Sequence, residues 1–160
     1  MAYTTIDDPT IFFNTKLYTG NGSDGNAQTG VGFQPDWVWI KERSTTNSHR
    51  VYDSVRGVNA ALLANDTNAE NQYAEYGQFE SFDSDGFTVG AGTSNGAGTN
   101  ANSATIVAWN WKAGTSFSND ASATSVGTID SSGSVNTTVG FSIISYTGTG
   151  SAGTIAHGLG

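Results

Sequence analysis

Three carboxylates lie close together in the sequence and could act as acid and base in glycoside hydrolysis. They are Glu80, Asp83 and Asp85. Two carboxylates flanking the scissile bond are the usual machinery of that reaction. In a strand, however, Glu80 and Asp83 fall on opposite faces, and exposed acids beside a turn are common. The pattern therefore favours solvated acids near a turn over a catalytic pair.

The segment Asp83-Ser84-Asp85-Gly86 also has the beginning of a calcium-binding loop. It lacks the ligand expected at the next odd position and the closing glutamate of an EF-hand. Asp-Gly is, in contrast, a preferred pair for the tight turn of a hairpin. We therefore expect a β-hairpin here and no metal ion.

Other motifs are weaker still. Gly20–Gly25 fits the glycine pattern of a dinucleotide-binding loop, but the following residues show no helical periodicity. His49 and Asp53 with a nearby serine suggest a triad, yet no nucleophile-elbow motif is present. His49 and His157 are the only histidines and cysteine is absent, so a protein zinc site is not expected. The sequence predicts no catalytic residue, no cofactor and no metal.

Tryptophans are the strongest candidates for a binding surface. They form two pairs with two-residue spacing, Trp37 with Trp39 and Trp109 with Trp111, which places each pair on one face of a strand. Such pairs could stack against sugar rings or pack in a core. Val38 and Ile40 make the other face of their strand apolar too, so a second subunit is another possible cover. We predict that the four tryptophans are core or subunit-interface residues.

The composition indicates an all-β protein. Charged residues make up 12% and aromatic residues 11%, and glycine occurs 21 times. Short apolar segments between Gly/Asn/Ser turns predict a β-sandwich or jelly-roll-like fold, with long Gly/Ser/Asn loops and at most one or two short helices. The expected strands lie at 11–18, 37–41, 49–53, 79–82, 87–89, 104–112 and 139–146.

Charge excludes several classes of partner. The formal net charge is −8, and lysine and arginine are not clustered, so nucleic-acid binding is not expected. The sequence has no apolar run long enough for membrane insertion, and its first residues do not have the pattern of a secretory signal. A protein made in a host cytoplasm and released inside a virus particle would fit these features.

Four segments are expected along the chain. Residues 1–10 form an N-terminal attachment segment and 11–114 a β-sandwich-like domain. Residues 115–138 form a Gly/Ser/Thr-rich linker, or a set of thin edge strands. Residues 139–160 would start a second, repeated unit, because Tyr18–Ser23 recurs with five identities as Tyr146–Ser151. On that basis the chain is expected to be the front of a longer polypeptide.

Several motifs together resemble an uncharacterised domain family of tail-fibre and other virion structural proteins of tailed phages infecting marine bacteria. The motifs span about residues 7–114 and are Asp7-Asp8-Pro9, Leu17–Gly22, Phe33–Lys41, Tyr52–Gly57, Ser81–Gly90 and Val107–Gly114. The resemblance implies a structural virion role without catalysis, and it supplies no catalytic or ligand-binding residues.

That resemblance predicts the N-terminal part of a tail fibre or host-recognition appendage, attached to the tail. Its partners would be other virion proteins and further copies of itself, most simply in a homotrimer, with host surface glycans bound through later domains. Two alternatives stay open: a capsid decoration or head-fibre protein, and a carbohydrate-binding module or glycan-degrading tailspike.

Overall fold

The computed structural model describes residues 6–94 and 96–160, and nearly all of their regular structure is β-strand. The predicted all-β class is therefore confirmed. Five residues of the predicted N-terminal attachment segment, 1–5, lie outside the described residues. Among the described residues, no helix is long and apolar enough to cross a membrane.

One compact unit, Pro9–Lys112, is built from two antiparallel sheets. The larger sheet has the order β1-β8-β3-β4-β5 and the smaller has the order β2-β7-β6. The strands are β1 Phe13–Thr19, β2 Asn26–Thr29, β3 Trp37–Glu42, β4 Arg50–Asp53, β5 Gly57–Leu63, β6 Gln78–Asp83, β7 Gly86–Gly90 and β8 Thr105–Trp111. Short 3₁₀ turns occupy Pro9–Ile11 and Ala74–Tyr76.

The core of this unit follows from alternation along the strands. Val38 and Ile40 of β3 are fully buried, whereas Trp37 and Trp39, which alternate with them, are only partly buried. A single apolar cluster joins the inner faces of both sheets, and the Phe79 ring stacks on Tyr52 and Phe87 with centroid distances of 4.7 and 5.6 Å. The unit is therefore a β-sandwich.

The loop between β7 and β8 closes one end of the sandwich with buried polar residues. Thr99 and Asn100 are fully buried. Tyr18 donates its hydroxyl hydrogen to the Thr99 carbonyl at 2.6 Å, and the Asn100 amide donates to the Ser23 carbonyl at 2.7 Å. Burial raises the pKa of Tyr18 well above its usual value, so this hydroxyl stays a donor throughout the ordinary pH range.

The second compact unit contains residues 6–8 and 113–160. Its antiparallel sheet has the order β11-β10-β9, formed by β9 Thr115–Asn119, β10 Ser131–Asn136 and β11 Phe141–Tyr146. Between β9 and β10 lies the short helix α1, Ala121–Thr124. Asp120 caps this helix by accepting hydrogen bonds from the backbone N–H groups of Ser122 and Ala123.

Residues 115–138, expected as a linker or a set of thin edge strands, supply two of the three strands in that sheet, the edge strand β9 and the central strand β10. The small residues of this segment permit close packing. A side chain at Gly133 would lie 2.1 Å from the Ile143 carbonyl oxygen and 2.8 Å from the Phe117 ring. Ser134 is buried and accepts a hydrogen bond from the Gly114 N–H. Glycine and serine thus occupy the positions where neighbouring strands and the Phe117 ring come close to the backbone. The same small residues give this segment the composition of a flexible linker.

The strand that the sequence assigned to a new repeat is part of this same sheet. β11 pairs along its whole length with β10, from Phe141 opposite Asn136 to Tyr146 opposite Ser131. Ile155 also forms a bridge with Ile129. Residues 139–160 are therefore built together with the segment that precedes them, and the duplication stays a prediction.

Candidate functional site

The four tryptophans form a band across the larger sheet of the sandwich unit. Trp37 of β3 lies opposite Trp111 of β8, and Trp39 lies opposite Trp109. Phe13 of β1 extends the first row, because it is the partner of Trp111 on the other side. Directly paired residues share a face of the sheet. We call the surface formed by Phe13, Trp37, Trp39, Trp109 and Trp111 the aromatic face.

Contacts between rings fix the orientations of side chains in the aromatic face. Trp39 meets Trp109 edge to face at 5.8 Å, and Phe13 lies 4.8 Å from Trp111. The indole N–H of Trp39 donates to Nδ1 of His49 at 3.1 Å. Burial, with the nearby Lys41 charge, lowers the pKa of His49. A neutral imidazole is needed here, since Nδ1 must accept the indole hydrogen, so Trp39 is held in one orientation.

Apolar side chains around the aromatic face are open to solvent. Leu17 is 61% exposed, and Phe13 and Leu62 are each 38% exposed. Leu17 shares the face because its partner Val107 lies two residues from Trp109 along β8. Contiguous apolar surface of this kind marks an interaction site more often than isolated exposed residues do.

Charged side chains on this side of the sheet have hydrogen-bond or ion-pair partners nearby. The Lys41 ammonium donates to the carbonyl oxygens of Glu42, Thr45 and Asn47 at 2.6–3.0 Å. Asp53 pairs with Arg56 at 2.6 Å, and Arg56 also reaches Glu70 at 2.7 Å. Backbone oxygens thus satisfy the Lys41 ammonium, and two carboxylates pair with Arg56, in a molecule whose net charge is −8.

The sequence left open whether the tryptophans are core residues or subunit-interface residues, and the structure bears on the first of these. The apolar cluster joining the two sheets contains aliphatic residues, phenylalanine and tyrosine, and the tryptophans lie on the opposite side of the larger sheet. Core packing between the sheets is thus carried by other residues. The subunit-interface assignment stays a prediction.

The candidate catalytic acids fix loops and the β6–β7 hairpin through hydrogen bonds. Glu80 accepts from the Gly25 N–H at 3.1 Å, and Asp83 accepts from the hydroxyls of Ser81 and Thr88 at 2.7 Å each. Asp85 accepts from the N–H groups of Gly30 and Gly32, and these bonds lower its pKa. Each carboxylate therefore has a structural role, and Asp85 stands at the predicted turn between β6 and β7.

The remaining motifs are not assembled into sites. His49 contacts Trp39, and Asp53 contacts Arg56. His157 accepts from the Leu159 N–H in the other unit. Residues 6–94 and 96–160 hold no group of three side chains suited to a metal ion. Gly20–Gly25 leads into strand β2 and has no helix after it, so its glycine pattern lacks the helix N-terminus that binds a pyrophosphate.

A pocket beside Arg50 was not anticipated from the sequence. Arg50 begins β4, which is buried along its whole length, and its side chain lines a cavity with Tyr73 and Tyr76. The available signal was a charged residue at the start of a predicted strand. It did not indicate a cavity, because the other walls come from loops distant in sequence.

Comparison with known proteins places the chain in a family. The model described as "Domain of unknown function (DUF7483)" matches residues 8–160. The chain belongs to this family. The match includes the sandwich unit and nearly all of the described second unit. No curated protein and no solved structure matches this DUF7483 chain.

Proposed function

We propose that this DUF7483 chain is a structural, non-enzymatic component of a tailed-phage particle, namely the N-terminal part of a tail fibre or host-recognition appendage. The proposal has two supports. One is the resemblance of the motifs between residues 7 and 114 to virion proteins. The other, which carries the proposal, is the partly exposed aromatic face on an otherwise polar and acidic molecule.

The occupant of the aromatic face in this proposal is a second copy of the chain. Two molecules with a net charge of −8 repel each other in most orientations. Repulsion is smallest where two surfaces meet through apolar side chains, as at Leu17 and the aromatic face. Buried aromatic residues are also the side chains that dominate interface energies. A homotrimer, as in other fibres, is the assembly proposed.

Replacing Leu17 by glutamate should convert the assembly into folded monomers. Leu17 is 61% exposed, so the change costs the single chain little, while a buried unpaired carboxylate opposes association strongly. Sedimentation equilibrium at micromolar concentration measures the result. Val126→Glu is the matched control, because Val126 is 53% exposed in the other unit, and it should leave the trimer intact. A wild-type protein that is a folded monomer, or an unaffected Leu17→Glu trimer, would refute the proposed interface.

Location on the particle tests the virion role itself. An affinity tag on the chain, carried by the phage genome and labelled with gold-conjugated antibody, should appear at the tail in electron micrographs. Label on the capsid would instead establish the head-fibre or decoration alternative. Purified particles that contain no tagged chain would overturn the structural role, and release of reducing ends from host polysaccharide would establish the tailspike alternative.

A further inference from the structure

The sandwich unit contains a pocket of about 300 Å3 at the end where β4 begins. Its walls come from the β3–β4 loop, the end of β5, the segment before β6 and the β7–β8 loop. The lining residues that matter for binding are Asn47, Arg50, Asp66, Asn68, Tyr73 and Tyr76. This volume is at the lower end of those that hold small ligands, and the aromatic face is formed by a different set of residues.

Arg50 provides a fixed donor in the wall of the pocket. It is 5% exposed, and its terminal nitrogens donate to the carbonyl oxygens of Tyr76 and Gly77 at 3.2 Å each. Its guanidinium carbon lies 5.4 Å from the centre of the Tyr73 ring. In the described part of the chain, no carboxylate oxygen forms an ion pair with Arg50, since both ion pairs belong to Arg56.

Tyr73 and Tyr76 give the pocket two aromatic walls. Tyr73 has a left-handed backbone with φ 51° and ψ 30°, which is uncommon for a residue with a side chain. Such conformations concentrate at binding sites, where surrounding contacts hold them. Here the ring is held between the Arg50 guanidinium and the hydrogen bond of its hydroxyl to the Ala69 carbonyl. Tyr76 is 46% exposed and available for stacking.

Polar groups of both kinds face the same space. Asp66 is only an acceptor, Arg50 is only a donor, and the amides of Asn47 and Asn68 can be both. Asp66 is positioned by accepting from the N–H groups of Thr67 and Asn68, and Asn47 by donating to the Glu42 carboxylate at 2.7 Å. The lining carries one positive and one negative side chain, and the Glu42 carboxylate behind it accepts from Asn47 and from the Gly98 N–H. The pocket therefore does not favour an anion.

We infer that this pocket binds one ring of an uncharged saccharide. The hydroxyl groups of a hexose need both donors and acceptors, and the lining residues Arg50 and Asp66 supply one of each. The apolar face of the sugar ring matches the exposed Tyr76 side chain. This glycan-binding function is separate from the proposed assembly role, because it uses neither the aromatic face nor contact between copies.

Saturation-transfer NMR with methyl glycosides tests the inference on the whole chain. The probes are the methyl glycosides of glucose, mannose, galactose and N-acetylglucosamine, with glucuronate as the charged comparison. At least one neutral glycoside should bind with a dissociation constant on the order of 1 mM. Tyr76→Ala and Asp66→Ala should each weaken binding by about tenfold or more, whereas Tyr146→Ala, an exposed tyrosine in the other unit, should leave it unchanged.

Three outcomes would overturn the inference. Absence of binding by every neutral glycoside removes the function. Binding of glucuronate alone assigns Arg50 to a carboxylate ligand. Binding that survives Tyr76→Ala but is lost in Trp39→Ala moves the sugar to the aromatic face. Backbone amide spectra of each variant confirm that it remains folded, and the sedimentation result for Leu17→Glu is independent of all three.

Discussion

Replacing Asp53 by alanine should lower the free energy of unfolding of the sandwich unit by about 3–5 kcal/mol. Asp53 is 1% exposed. One carboxylate oxygen accepts from the backbone N–H groups of Val55 and Arg56, and the other pairs with the Arg56 guanidinium at 2.6 Å. The substitution therefore leaves a largely buried arginine without its main partner and two backbone donors without an acceptor.

Urea unfolding followed by tryptophan fluorescence measures this loss of unfolding free energy in the sandwich unit, since all four tryptophans lie within Pro9–Lys112. Glu70→Ala is the matched control. Glu70 also pairs with Arg56, at 2.7 Å, but its side chain is 46% exposed, so its removal should cost about 1 kcal/mol or less. Equal losses in the two variants would contradict the structural role assigned to Asp53.

Replacing Phe87 by alanine should destabilise the same unit by about 3–5 kcal/mol. Phe87 is fully buried, stacks on Phe79 and meets Tyr18 edge to face at 6.0 Å. Its removal opens a cavity between the two sheets where the surrounding rings cannot collapse freely. The same fluorescence-detected urea titration measures the change.

Phe82→Ala is the control for that cavity. Phe82 also contacts Phe79, at 4.6 Å, but it is only partly buried at the edge of the cluster. Water can fill much of the space that its ring leaves, so the loss should be clearly smaller than for Phe87. If Phe82→Ala were as destabilising as Phe87→Ala, the centre of the core would lie elsewhere.

Local sequence patterns were sufficient for the strands that carry large side chains. The segments at 37–41 and 104–112 became β3 and β8. The tight turn expected at Asp85-Gly86 lies one residue earlier, at Ser84-Asp85, and Gly86 begins β7 opposite Asp83. Alternation also showed that β3 has two apolar faces. These features depend only on residues close together in the sequence. Hydrophobic periodicity is a signal of that short-range kind.

The same patterns were misleading where small residues pack closely. Ser131–Asn136 was predicted as linker or edge strand and is the central strand of its sheet. Glycine and serine in this strand leave room for the Phe117 ring and the neighbouring backbone. Long-range contacts there outweighed local propensity.

By itself, the sequence determined the all-β class, the doubly apolar strand β3 and the pairing of tryptophans on one strand face. Only the tertiary structure decided that those tryptophans face away from the shared core, because that depends on which side of the larger sheet receives β6 and β7. It also decided the roles of the acids and of Arg50. Asp85 meets Gly30 and Gly32, and Arg50 meets Tyr73 and Gly77, across separations that no local pattern encodes.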